Sequence, residues 1–274
     1  MNNIIYGTFP TEKTLGHHYS NKSKILVYIS FGLGCGGNTK NTIYTSTKID
    51  PKNIIILCHK TSSALKTIGK IYTGFDPLAA SNYVDAYARS IISNSSIYDK
   101  IFVFGFSFGG AIVNRVAEEL NKNSLINNVK SKIFMATFGS IYIPNDKGVA
   151  SQSNINIINY LATGDIASTL HGIKINNKFE KKSEQTIPSI HTFTSNSNDI
   201  CKFISNYEYS KIIPICFFLD NKYTCNKSDK KNIFAELIEI ITSSQKWIIH
   251  NNYGKLFLNL LKYRKNDIND LIVK

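Results

Sequence analysis

The chain has 274 residues, 43% of them hydrophobic and 19% charged. That balance excludes a disordered chain, which needs fewer apolar residues and more charge, and the length suits one large α/β domain over residues 1–274. The formal net charge of +13 creates a field that attracts anionic surfaces, a membrane surface among them. The lysines are dispersed, however, and form no arginine-rich helix or aromatic-interleaved motif, which argues against specific nucleic-acid binding.

The N-terminal residues MNNIIYGTFPTEK lack the basic head, apolar middle and small-residue cleavage site of a secretory signal. No run of eighteen apolar residues follows, so a cytoplasmic protein is expected. The lysine, asparagine and isoleucine usage is that of an AT-rich genome, such as a parasite, a bacterium or a large virus carries. Five scattered cysteines (Cys35, Cys58, Cys201, Cys216, Cys225) show no metal-ligand spacing and are read as reduced thiols.

Taken in order, short β-branched and aromatic runs predict strands at 24–31 (KILVYISF), 53–59 (NIIILCH), 100–105 (KIFVFG), 132–138 (KIFMATF), 154–161 (NINIINYL) and 211–219 (KIIPICFFL). Most are apolar on both faces, as central strands of a helix-covered parallel sheet must be. Helical periodicity marks 80–93, 109–120 (apolar at Ile112, Val113, Val116 and Leu120), 230–242 and 254–263. Alternating strands and helices predict an α/β fold, a mostly parallel sheet with helices on both faces. The charged stretch 179–185 is the most linker-like segment.

The third strand runs into Gly105-Phe106-Ser107-Phe108-Gly109-Gly110, which opens an amphipathic helix. A G-x-S-x-G between strand and helix forces a tight turn that exposes the serine hydroxyl at the sheet edge. The N–H of the next residue, Phe108, then faces a developing oxyanion. The alternative is a glycine-rich turn with an incidental serine. A serine needs an imidazole base, and the base needs an acid to fix its tautomer. Asp165 sits just past a predicted strand, Asp220 ends another, and His171, His191 and His250 lie beyond Asp165.

The glycine-rich loop 32–37 (GLGCGG) after the first strand offers backbone N–H groups, Leu33 foremost, as second oxyanion donor. Cys58-His59-Lys60-Thr61 after the second strand is the fallback. The loop fits neither a P-loop nor a dinucleotide fingerprint, and no H-E-x-x-H exists, so neither cofactor nor metal is expected.

The elbow and its sequel resemble the α/β-hydrolases, and within them the fungal-lipase-like branch. Thr137-Phe138-Gly139-Ser140 resembles that branch's T-F-G-S-P, with Ile141 in the proline's place. Residues 159–166 (NYLATGDI) resemble its Asn-led segment carrying the triad acid, with a wider gap between Asn159 and Asp165. The setting of His250, followed by Tyr253, resembles the H-x-x-Y of its base. The resemblance implies a serine hydrolase of carboxylic esters, acting on an acylglycerol or phospholipid, with catalytic Ser107, Asp165 and His250 and an oxyanion hole of Phe108 and Leu33. Asp220 and His191 remain alternatives for acid and base. The resemblance also implies a lid at 72–83 (YTGFDPLAASNY) and an acyl pocket lined by Phe106 and Phe108. The rival reading is a catalytically inactive binding or structural protein that keeps this fold and a basic surface.

Overall fold

The structure is a computed structural model and describes residues 25–33, 39–59, 82–143, 155, 157–162, 165, 212–215, 218–219, 222–223, 250 and 253–266. Among the described residues six strands form one parallel sheet: β1 (Ile25–Leu33), β2 (Ile54–His59), β3 (Lys100–Phe106), β4 (Ile133–Phe138), β5 (Ile157–Ala162) and β6 (Ile212–Ile215). Their spatial order is β2-β1-β3-β4-β5-β6. The described α-helices are α1 (Thr39–Thr47), α2 (Asn82–Ser95), α3 (Phe108–Lys122) and α4 (Gly254–Asn266).

The two faces of the sheet follow from the two-residue period of a strand. Ile25, Val27 and Ile29 of β1 join Phe102 and Phe104 of β3 in one core, closed by Ile43 of α1 and by Leu256, Phe257, Leu260 and Leu261 of α4. Leu26, Tyr28, Ile101 and Val103 point the other way, against Tyr87, Ala88 and Ile91 of α2 and Ala111, Ile112, Val113 and Val116 of α3. A strand buried on both sides cannot alternate polar with apolar residues, which is why these runs read as continuously hydrophobic. The predicted α/β class, with helices on both faces of a parallel sheet, is the observed one.

Three elements differ from expectation. Helix α1 was not foreseen, because its sequence TKNTIYTST buries only Ile43 and Thr47 and so carries almost no apolar stripe. The run at 211–219 divides: Ile212–Ile215 extends the main sheet, while Phe218–Leu219 (β7) pairs antiparallel with Lys222–Tyr223 (β8). Among the described residues β6 is the last strand of the sheet, a position that tolerates the missing N–H of Pro214. Helix α3 continues from Phe108 to Lys122, so Phe108 is its first residue. The predicted helix at 230–242, the linker at 179–185 and nearly all of the lid segment lie outside the described residues; its last two residues, Asn82 and Tyr83, open α2. Among the described residues no helix is long and apolar enough to cross a membrane.

Candidate active site

In this strand order the connection from β1 leads outward to β2 on one side, while β3, β4 and β5 follow on the other. The switch point between β1 and β3 leaves a crevice at the carboxyl ends of the strands, the general ligand position of open α/β sheets. Ser107 stands there, between the end of β3 and the start of α3.

Its backbone takes φ 55° and ψ −120°, a region that costs a non-glycine residue about 1–3 kcal/mol and persists only when its surroundings enforce it. The enforcement is visible. Ser107 N–H donates to Phe138 O at 3.0 Å, and Ser107 C=O accepts from Gly110 N at 3.0 Å and Ala111 N at 3.2 Å. The helix also lies directly on the sheet: a Cβ on Gly105 would stand 2.6 Å from Gly109 O, and one on Gly109 would stand 2.1 Å from Ser30 O. Only hydrogen fits at either position.

Phe108, at the first position of α3, carries an N–H that a helix's own ladder does not use, at the positive end of the helix dipole. The pairing of β1 with β2 slips between Phe31 and Leu33, so Gly32 forms a bulge. Bulges bend a strand and re-aim its backbone. Here a Cβ on Gly32 would lie 3.2 Å from Phe108 N and 3.3 Å from Ser107 Oγ. The end of β1, with Leu33 next in the chain, therefore stands beside the serine. Cys58 and His59 end β2, which is separated from β3 by β1, so the fallback oxyanion segment starts one strand farther away.

Across the site, Asp165 follows β5, and its backbone N–H returns to Ala162 O at 3.1 Å. Its buried carboxylate meets His250 Nδ1 through Oδ1 at 2.6 Å, and the His250 side chain is 7% exposed. With Nδ1 protonated, the imidazole donates to the carboxylate and leaves Nε2 as a base. Tyr253 Oη donates to Asp165 Oδ2 at 2.6 Å and accepts from Ala162 N at 2.8 Å. Burial, the Asp165 charge and the hydrogen bond to it hold the Tyr253 phenol well above its usual value of 10, so the hydroxyl stays a donor.

The peptide between Phe138 and Gly139 joins the two halves. Phe138 O holds Ser107 N–H. Gly139, at φ +59°, lies against the acid and base, and a Cβ there would stand 2.8 Å from Asp165 Oδ2, 2.8 Å from Tyr253 Cε2 and 3.1 Å from His250 Cε1. Both its left-handed backbone and its missing side chain are required.

Beneath this peptide, Asn114 of α3 points its amide nitrogen at Ser140 Oγ (3.1 Å), Tyr142 O (2.9 Å) and Asn159 Oδ1 (2.8 Å). Asn159 Oδ1 also accepts from Thr137 Oγ1 at 2.6 Å. The motif residues Thr137, Ser140 and Asn159 are thus one buried polar cluster tying β4, β5 and α3 together. Ile141, in place of the proline, keeps a backbone N–H that reaches Ser107 O at 3.5 Å.

Of the sequence-predicted residues, the structure brings Asp165 to His250 and sets Ser107, Phe108 and the end of β1 side by side; Asp220, His171 and His191 lie outside the described residues. The ring of Phe108 departs from expectation. It is buried at 2% exposure in the core against α2, because the first turn of α3 faces the sheet, so it lines no open pocket. Phe106 is half-buried and stacks on Phe31 at 5.3 Å and on Phe138 at 4.9 Å. Sequence reasoning passed over Asn114, Gly139 and the hydroxyl of Tyr253. A polar residue on the apolar stripe of α3 and the H-x-x-Y spacing were the available signals. Among the described residues no cluster of three or more His, Cys, Asp or Glu side chains suited to a metal occurs.

No family model and no curated protein matches the sequence. Solved structures do align with it. A dienelactone hydrolase-like promiscuous phosphotriesterase from metagenomic libraries is 11% identical, with 73% of this chain and 72% of that one covered and a TM-score of 0.34. A predicted CIB-like hydrolase from Thermoplasma acidophilum is 7% identical over 89% of both chains, with a TM-score of 0.36. Esterase B from Lactobacillus rhamnosis is 9% identical over 91% of this chain and 79% of that one, with a TM-score of 0.31. The sheet order, the elbow after β3 and the crossing of α3 are themselves those of an α/β-hydrolase fold.

Proposed function

We propose that this protein is a serine hydrolase of carboxylic esters, built as a single domain, with Ser107 as nucleophile, His250 as general base and Asp165 as the acid that orients it. One observation carries the reading: the peptide linking Phe138 and Gly139 holds the strained serine through one residue and abuts the Asp165–His250 pair through the next. Backbone strain of this kind clusters at functional sites, and a fully buried carboxylate paired with an imidazole is costly without a use.

In the proposed reaction Ser107 Oγ attacks the acyl carbonyl while His250 Nε2 takes its proton, and the imidazolium is stabilised by Asp165. The N–H groups of Phe108 and Leu33 receive the oxyanion. Each such donor contributes about 10²–10³ in rate. His250 returns the proton to the leaving alcohol, and water then repeats the sequence on the acyl-enzyme.

An apolar acyl group, as in an acylglycerol or phospholipid, is the proposed substrate. Phe106, the residue before the serine, is half-buried and stacks on Phe31 at the end of β1, and the net charge of +13 favours approach to anionic lipid surfaces. Residues 72–83 are proposed as a lid. The motifs around Thr137, Asn159 and His250 support placement in the fungal-lipase-like branch, because the first two share a hydrogen bond at 2.6 Å.

Labelling with a fluorophosphonate tests the reading. The wild-type protein is expected to take up label and Ser107→Ala to lose it completely. A folded wild type that stays unlabelled, with and without lipid vesicles, would sink the proposal in favour of a non-catalytic binding protein.

A further inference from the structure

Tyr253 is the least explained group of the site. Its ring is 1% exposed and is fixed on several sides: tilted against Phe138 at 6.2 Å, edge-on to His250 at 6.4 Å and beside the bare face of Gly139. Its hydroxyl accepts from Ala162 N and donates to Asp165 Oδ2. Those contacts join the end of β5 and the acid to the residue just before α4, 91 and 88 residues away in the chain.

We propose that Tyr253 is a positioning residue that acts on His250 through Asp165, fixing the carboxylate's rotamer and drawing part of its charge away from the imidazole. The inference rests on the proposed roles of Asp165 and His250. Among the described residues, the titratable groups on the Asp165 carboxylate are His250 at Oδ1 and Tyr253 at Oδ2. A carboxylate that shares its charge between two donors holds each less strongly than one that serves a single donor. The Ala162 N–H in turn orients the phenolic oxygen so that its proton has one direction to point. Without the hydroxyl, Oδ2 loses this donor, negative charge concentrates on Oδ1, and the imidazolium becomes easier to form. The carboxylate also becomes freer to rotate.

A mere anchor for the start of α4 would show none of this, since an anchor changes stability and not the imidazole. The test is a proton NMR titration of His250, assigned by its loss in His250→Gln, in the wild type, Tyr253→Phe, Asp165→Asn and the double variant. Tyr253→Phe is expected to raise the midpoint by roughly half to one pH unit, and to change nothing in the Asp165→Asn background. An unmoved midpoint in Tyr253→Phe, or an equal shift with and without Asp165, overturns the proposal.

Should Tyr253→Phe fail to fold, 3-fluorotyrosine placed at 253, whose more acidic hydroxyl donates more strongly, is expected to lower the midpoint, and no movement overturns the proposal. Fluorophosphonate labelling of the same samples separates the two readings. A coupled titration without labelling removes the hydrolase and leaves Tyr253 its role. Labelling with a flat titration does the reverse.

Discussion

The nucleophile and its partners are held by different physics. Ser107 is positioned by backbone: a strained turn, hydrogen bonds from its own N–H and C=O, and glycines at which no side chain fits. Asp165, His250 and Tyr253 are positioned by side chains that reach one another from parts of the chain 85 to 91 residues apart. The first arrangement is intolerant of added volume and indifferent to chemistry nearby. The second needs the bare face of Gly139 beside it, but its own distinctive failure comes when one donor or acceptor is altered. The contrast gives each half its own mode of failure.

The largest expected effect is on the side-chain half. Asp165→Asn keeps the shape but leaves the imidazole without its carboxylate, so labelling is expected to slow by about 10⁴-fold while the melting temperature moves little. His250→Ala is expected to cost at least as much. Asp220→Asn and His191→Ala, run in parallel, are expected to change labelling less than about threefold. A collapse of labelling in Asp220→Asn with full labelling in Asp165→Asn would transfer the acid's role.

Those alternatives were open in the sequence for the same reason that the halves differ. The elbow is local: Gly105, Ser107 and Gly109 lie within five residues, between a strand and an amphipathic helix, so motif and context appear together. The strands were legible for a related reason, since double burial makes each a short unbroken apolar run. Nothing local ties Asp165 to His250. Their meeting depends on where β5 ends and where the chain re-enters before α4, which no spacing rule encodes. Asn114 was hidden because a buried asparagine on an apolar stripe resembles an interruption until Ser140, Tyr142 and Asn159 are seen around it. Helix α1 was hidden because it buries too little to leave a pattern.

The second effect breaks the backbone half. In Gly109→Ala the new methyl group would stand 2.1 Å from Ser30 O and 2.4 Å from Ser30 C, so α3 must lift from β1. Overpacking of this kind costs typically 1–3 kcal/mol and occasionally more, and with backbone on both sides we expect at least about 3 kcal/mol. The urea midpoint should fall accordingly, with labelling lost through unfolding. A Gly109→Ala protein that keeps its midpoint and loses only labelling would mean that the elbow too is a matter of chemistry, and the contrast would fail.

The smallest effect sharpens it from the other side. Gly254 is the residue after Tyr253 and opens α4, yet a Cβ there would meet none of the described residues within 4 Å. Alanine at that position removes freedom from the unfolded chain and favours the helix, which is expected to add about 0.5–1 kcal/mol. At about 2–4 °C per kcal/mol for a chain of this size, the melting temperature should rise by roughly 1–4 °C, with labelling unchanged. If the half built by side chains depends on the hydrogen bonds of Tyr253 and not on the exact path of the backbone beside it, a methyl group one residue away is harmless. A stabilised Gly254→Ala protein with slowed labelling would show instead that the start of α4 must flex for His250 to work, and that the side-chain half is as sensitive to backbone as the elbow.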